Sequence, residues 1–447
     1  MCGIFGISGN KEASNLTYLG LYALQHRGQE GAGIVSSDGE NIYEHKKLGY
    51  VPDRFSERVL NSLVGDCAIG HVRYSTTGEN IKKNLQPFTV DFDLGTISVA
   101  HNGNLVNYKE LKKELEEEGS VFQSTMDTEI FLHLVAKEKG KCVEERIKRA
   151  VSRCKGAYSL LFLFKGKLIA VRDPYGFRPL VFGKLGGSFV FASETTSLDL
   201  IGATFEREVE PGEIITVEKG TIKIDHIELK KTIKNRRLAC VFEHIYFARP
   251  DSLLFGKKVY EVRKNLGREL AKLYKLKADM VVPVPDSGVI AAMGFSEVSG
   301  IPFELVLVRN HYVGRTFIQP QQSIRNFGVK VKLNPVKSFV KGKELIVIDD
   351  SIVRGTTSQK IIKMLKDAGA SKVHMVISAP PTTGPCFYGI DTPTKAELIA
   401  SSKSVEEIRK FSGADSLNYM TLDGLYRAVG EKRELFCDAC FSGEYLV

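Results

Sequence analysis

The segment ELIVIDDSIVRGTTS, residues 344–358, is an apolar run that ends on paired carboxylates and passes through Arg, Gly, Thr and Ser into a helical pattern at 357–368. A continuous apolar strand without polar alternation belongs to a sheet covered on both faces, as parallel sheets are. The surrounding sequence repeats this arrangement. A helical pattern at 260–274 is followed by MVVPVP, a Gly/Ala-rich segment, FELVLV, the 344–350 strand with its helix, and VHMVISAP. Helices alternating with apolar strands predict a doubly wound parallel α/β sheet for this half of the chain.

In such sheets ligands bind beyond the carboxyl ends of the strands, and a loop that opens onto a helix offers unpaired N–H groups to a phosphate. Arg354, Gly355, Thr356, Thr357 and Ser358 add a cation, close backbone approach and hydroxyl donors. Asp349 and Asp350 are unsuited to phosphate but suited to sugar hydroxyls or a magnesium shell. An ordinary strand-to-helix turn could use one of them as a helix cap, but adjacent acids at a strand end are costly without a cation or donors nearby. Acids for a ribose beside a Gly/Thr/Ser cradle for its phosphate resemble the signature of the type I phosphoribosyltransferases. Two further segments fit the same pocket. VVPVPDSG, residues 281–288, is a tight loop in which Asp286, Ser287 and Gly288 can hold a pyrophosphate. The long, basic and polar stretch 308–336 suits a lid, with Arg309, Tyr312, Arg315 and Lys330 meeting an anionic substrate on closure.

Residues 2–231 have a different texture. Short β-rich runs, among them CGIFGIS, GAGIVSS, CAIGHVRY, TISVAHNG, AYSLLFLF and EIITVEKG, are separated by Gly and Asp turns, with helical patterns at 15–24, 108–118, 127–139 and 143–151. Stacked sheets with flanking helices are expected there. KKTIKNRR, residues 230–237, reads as a solvated linker, which divides the chain into domains 2–231 and 232–447. Two domains also suit a length of 447 residues. Hydrophobic content of 43% and charged content of 26% are those of a soluble globular enzyme. Sixty-two basic against 53 acidic residues leave a net charge of +9, without the Lys/Arg block that tracks nucleic acid. An anionic small substrate accounts for the excess, as does solubility alone. No run is long enough to span a membrane and the first residues lack the order of a signal peptide, so a cytoplasmic chain is expected. Its 8 cysteines then point to metal ligation or catalysis wherever they cluster.

The chain opens MCGIFGI, with nothing but Met1 ahead of Cys2. A small second residue permits removal of the initiator, which leaves an α-amine, with a pKa of about 7.7–8.0, beside a thiol it can deprotonate. A cysteine opening a β-rich domain is otherwise core packing, but its company argues for more. QHRGQEGAG (25–33), GHVRYSTTG (70–78), AHNGNL (100–105) and STMDTE (124–129) together resemble the N-terminal-nucleophile glutamine amidotransferases over about residues 2–173. This resemblance implies an αββα sandwich. It also implies that Cys2 is the nucleophile, that the Asn102 side chain and Gly103 N–H are oxyanion donors, and that Arg73 and Asp127 clamp the carboxylate and ammonium of glutamine.

Over essentially its whole length, including an interdomain segment CVFEHIYFARPDS (240–252), the chain resembles the glutamine phosphoribosylpyrophosphate amidotransferase family. That resemblance implies release of ammonia from glutamine and its transfer to C1 of phosphoribosyl pyrophosphate, the first committed step of de novo purine (IMP) synthesis. It further implies magnesium on Asp349, Asp350 and Ser287, feedback inhibition by purine nucleotides, and a homotetramer. Sugar-phosphate aminotransferases and asparagine synthetases share the glutaminase but lack the IDDSIVRGTTS loop, and a non-catalytic sensor would have lost Cys2 or the acid pair. Cys437 and Cys440 form a CxxC, and Cys240 and Cys386 are the only other cysteines outside the glutaminase half. Four thiolates suit zinc or a [4Fe–4S] cluster, and spacing leaves both open. The resemblance points to the branch of the family that carries a [4Fe–4S] cluster on these four cysteines, with Cys67, Cys142 and Cys154 as core residues.

Overall fold

The β-rich runs of the first half pair antiparallel throughout, in a computed structural model that describes residues 2–74, 81–227, 237–310, 333–392 and 394–445. Among the described residues a seven-stranded sheet has the order Thr204–Glu208, Val181–Leu185, Ser188–Ala192, Gly3–Ser8, Cys67–Arg73, Gly31–Ser37, Ile42–Leu48. A six-stranded sheet has the order Thr221–His226, Glu213–Glu218, Lys167–Arg172, Gly156–Phe164, Gly95–Leu105, Phe88–Phe92. The sheets stack through Ile4, Ile69, Ala100, Leu161 and Leu168, all solvent-inaccessible. Burial on both faces explains why Gly3–Ser8, Cys67–Arg73 and Gly156–Phe164 are inaccessible along their whole lengths and lack polar alternation. Helices Ala13–Ala23 and Thr195–Ile201 cover the first sheet, and Tyr108–Glu117, Glu129–Lys137 and Val143–Arg153 cover the second. The last of these buries Val143, Ile147, Ala150 and Val151, one stripe of a helical repeat. The result is the expected αββα sandwich.

The second half is built on Met280–Pro283, Glu344–Asp349, Lys372–Ile377 and Ser416–Tyr419, which lie side by side in that order and pair parallel. Leu345, Ile346, Val347 and Ile348 are wholly buried, as a sheet covered on both faces requires. One expected strand behaves differently. FELVLV contributes only a bridge between Phe303 and Val281, after which Leu307–Arg309 turns away to pair antiparallel with Leu333–Pro335. Leu305 and Val308 are 54% and 52% exposed, so an apolar run that looked buried on both faces is buried on one. The linker expected at 230–237 and the boundary at 231/232 fall almost entirely on residues 228–236, outside the described residues.

The segment after Cys240 forms a π-helical turn, Glu243–Phe247, that carries Glu243 into a fully buried ion network. Arg27 Nη2 donates to Glu243 Oε1 at 2.7 Å and Arg27 Nη1 to Glu194 Oε1 at 2.5 Å, while Arg178 Nη1 approaches Glu243 Oε1 at 3.3 Å. Glu194 also accepts from His26 Nε2 at 2.7 Å, the Arg249 N–H at 2.9 Å and Ser252 Oγ at 2.6 Å. Burial opposes the charge on Arg27, but Glu243 and Glu194 outweigh it and hold its pKa above the ordinary arginine value. Glu194 is held well below the usual carboxylate range, burial being overcome by His26 and Arg27. Truncating one member of a buried network strands its partners' charge. Glu243→Ala should therefore destabilise the chain by about 3–5 kcal/mol, read as a lower thermal midpoint than that of wild type in the same buffer.

Candidate active site

Cys2 immediately precedes the central strand Gly3–Ser8 and is buried, with Sγ 3.6 Å from the carbonyl oxygen of Tyr74. Its own carbonyl accepts from Arg27 Nε at 3.1 Å, so the ion network fixes the backbone that bears the thiol. Arg73 ends the neighbouring strand, wholly buried, and its Nη1 lies 3.0 Å from Met126 Sδ. Asp127, the next residue after Met126, is buried and accepts the Leu105 N–H at 2.8 Å. Asn102 and Gly103 lie on Gly95–Leu105, in the facing sheet. Neither Oδ1 nor Nδ2 of the buried Asn102 has a partner among the described residues. An amide left in that state suits a ligand oxygen better than it suits packing. A Cβ on Gly103 would stand 2.0 Å from the Ala157 oxygen, so only glycine fits there. Between Asn102 and Asp127, His101 Nδ1 contacts Thr128 Oγ1 at 3.0 Å, and burial lowers its pKa against the pull of Asp127.

In the other domain, Asp349 and Asp350 end their strand with both carboxyls buried. Burial, reinforced by Asp350, pushes the Asp349 carboxyl well above the usual carboxylate range. Gly355 caps helix Thr356–Asp367, whose first turn contains Thr357 and Ser358. Arg354 is exposed and pairs with Glu397 at 2.9 Å. Ser287 and Gly288 follow Met280–Pro283, and Asp286 pairs with Arg309, the one expected lid residue inside the described chain. Tyr312, Arg315 and Lys330 lie outside the described residues. A cavity of about 480 Å³ is lined by Ser287, by 349–358 and, from the other domain, by His26, Arg27 and Tyr74. The carbonyl that the Cys2 thiol meets thus belongs to a residue that lines this cavity.

The four cysteines come together at the edge of this cavity, which Cys386 and Cys440 also line. Cys240 is in parallel register with Cys437, and the Cys440 carbonyl accepts from the N–H groups of Thr383 and Gly384, both at 3.0 Å, just ahead of Cys386. Burial first, and then Cys240, Cys386 and Cys437, push the Cys440 thiol well up. No three His, Cys, Asp or Glu side chains among the described residues converge on a single-ion position. Cys67 and Cys154 are buried core residues, with pKa values raised by burial, and Cys142 is partly exposed. Sequence reading missed Arg27, Arg178, Glu194 and Glu243. Arg27 stands inside QHRGQEGAG, but its partners lie 167 and 216 residues away, beyond any local pattern.

Known proteins resemble the chain in both halves. A glutamine amidotransferase domain model matches residues 71–199 and a phosphoribosyl transferase domain model matches residues 255–395. The chain is 52% identical to amidophosphoribosyltransferase 1, chloroplastic, of Arabidopsis thaliana, over 100% of its own length and 78% of that protein's. It is 48% identical to the amidophosphoribosyltransferase of Bacillus subtilis, covering 99% and 94% of the two chains. Its fold superposes with a TM-score of 0.93 on the glutamine phosphoribosylpyrophosphate amidotransferase from B. subtilis complexed with ADP and GMP, at 47% identity over 99% and 97% of the chains.

Proposed function

This chain belongs to the amidophosphoribosyltransferase family, and we propose that it releases ammonia from glutamine at Cys2 and passes it to C1 of phosphoribosyl pyrophosphate at the Asp349–Ser358 loop. The observation that carries this reading is the shared cavity, which Tyr74 and Arg27 line from one domain and 349–358 from the other. With Met1 removed, the α-amine of Cys2 takes the thiol proton and Sγ attacks the carboxamide carbon. The developing oxyanion meets Asn102 Nδ2, which has no other partner among the described residues, and the Gly103 N–H. Arg73 and Asp127, joined through Met126, hold the carboxylate and ammonium of glutamine. Ammonia leaves, and water cleaves the thioester to glutamate.

In the second site Thr356, Thr357 and Ser358 present the start of a helix to the 5-phosphate, and Asp286, Ser287 and Gly288 face the pyrophosphate. Arg309, paired with Asp286, would meet the anionic substrate at this site. Two adjacent buried carboxyls suit magnesium, which takes one or two protein carboxylates and completes its shell with substrate oxygens and water. When bound at Asp349 and Asp350 with Ser287, magnesium would neutralise the pyrophosphate as the C1–O bond loosens. Ammonia is protonated in bulk water, so attack on C1 benefits from a cavity walled by both domains.

We further propose that the chain belongs to the iron–sulfur branch. Four clustered thiols, of which Cys240, Cys437 and Cys440 are pushed up by burial first and then by neighbouring thiols, suit a group that supplies positive charge. Four thiolates suit zinc or a cubane, which takes one thiolate at each of four corners, and the family resemblance favours the cubane. Its role would be to tie residues 437–440 to the interdomain segment. Purine nucleotides are proposed inhibitors because their 5′-phosphate and ribose match the phosphate and sugar that the 349–358 loop receives. A homotetramer is supported by exposed Leu305, Val308 and Phe339 around the Leu307–Arg309 ribbon. No described helix is long and apolar enough to cross a membrane, and eight free cysteines suit a reducing cytoplasm.

Cys2→Ala should lower glutamine-dependent phosphoribosylamine synthesis by more than about 10³-fold and leave synthesis from ammonium salts near wild type. Asp350→Asn should depress both syntheses while slow hydrolysis of glutamine alone survives. Equal loss of every activity in a folded Cys2→Ala protein would sink the two-site reading. Protein purified without oxygen should carry about four iron and four sulfide per chain, and Cys437→Ser should lose them; one zinc per chain would instead favour the single-ion reading.

A further inference from the structure

Gly389 belongs to the transferase domain, yet it lies against the backbone of Gly103. A Cβ placed on it would stand 3.0 Å from both the Cα and the carbonyl carbon of Gly103, and 3.2 Å from the Gly103 oxygen. Its φ of +98° also lies in the region that favours glycine. The residues just before it hold to the same strand. Asn104 Nδ2 donates to the Phe387 carbonyl at 3.0 Å, and the Tyr388 ring stacks on Phe177 with centroids 4.3 Å apart. Phe177 and Tyr388 share an apolar cluster with Ala157, the strand partner of Asn104. On its other sides Gly103 is hemmed by the Ala157 carbonyl and the His101 ring, the two groups a Cβ there would strike.

We propose that residues 387–389 are a backstop for the oxyanion hole, supplied by the transferase domain, with Gly389 a positioning residue for Gly103 in glutamine cleavage. The proposal rests on the two-site reading given above. An oxyanion donor works only where it meets the position that the oxygen occupies in the transition state, and its loss costs about 10²–10³ in rate. Gly103 can hold its N–H there only if the strand end Asn102–Leu105 does not recede as charge develops. Within the sandwich that end is held along one edge by its antiparallel pairing with Gly156–Ser159 and by Asp127, which accepts the Leu105 N–H. The transferase domain closes the remaining side. Plain interdomain packing would also bring the segments together, but it would not affect glutamine cleavage more than transfer.

Gly389→Ala must either strain its own backbone or displace Gly103 by a few tenths of an ångström. It should lower kcat with glutamine by about 10-fold, while the KM for glutamine, set by Arg73 and Asp127, stays within about twofold and the ammonium-driven reaction keeps its wild-type rate. Asn104→Ala, which adds no atom and removes the tie to Phe387, should give the same split with a smaller drop. Steady-state kinetics with both nitrogen sources read these quantities. Parallel loss of the two activities in both variants, a raised KM at unchanged kcat, or wild-type kcat in both would each overturn the proposal. A wild-type chain that made no phosphoribosylamine from either nitrogen source would instead overturn the two-site reading, whatever Gly389 does.

Discussion

Four charged side chains sealed from water, Arg27, Arg178, Glu194 and Glu243, hold the two halves of this molecule in one geometry. Two cations and two anions balance, so the set carries no net charge into the interior. Such networks add little stability over an apolar equivalent, but each member demands its partners in place. What this one specifies is the start of the chain. Arg27 spends Nε on the Cys2 carbonyl and both terminal nitrogens on carboxylates, one from the sandwich and one from the interdomain turn. The backbone of Cys2, the proposed nucleophile, is therefore tied through Arg27 to the interdomain turn.

The two sheets place their chemistry by opposite rules. In the antiparallel sandwich the reactive residue precedes a central strand, enclosed by neighbours on both sides and by the facing sheet, so its environment is a buried slot. In the parallel sheet every strand runs the same way, and 285–288 and 350–358 emerge together at the carboxyl end as an open cradle. One geometry suits a nucleophile that must be shielded, and the other suits a large, highly charged substrate. Their shared cavity exists because Tyr74, just past the end of Cys67–Arg73, reaches the cradle.

What could be read from the sequence was whatever the chain encodes over short distances. The helix expected at 108–118 is observed as Tyr108–Glu117, and that at 357–368 as Thr356–Asp367, because periodic apolar faces set them. The strand-loop-helix at 344–358 was legible for the same reason. FELVLV was misread because apolar composition reports that a residue can be buried, while the exposure of Leu305 and Val308 depends on which elements arrive from elsewhere. Arg27 was invisible as a structural residue, since its meaning lies in Glu194 and Glu243 and no local feature announces a partner in another domain. The contact of Gly389 with Gly103, between two glycines without side chains to signal it, belongs to the same class.

A single electrostatic logic connects the remaining sites. The Asp349 and Asp350 carboxyls are buried side by side, where burial and Asp350 push Asp349 up, and Cys240, Cys386 and Cys437 add to the burial that pushes the Cys440 thiol up. A bare buried charge beside another of its sign is disfavoured twice, by desolvation and by repulsion. The ion network around Arg27 resolves the same difficulty internally by supplying cations from the chain. At the other two the cations stand at the edge: Asp350 favours the charge on Arg263, and Arg178 lies near Cys240, Cys386 and Cys437. The magnesium and iron–sulfur sites proposed above both fall where acidic groups cluster without the matched cations that the network around Arg27 has, the chemistry on which those two proposals rest.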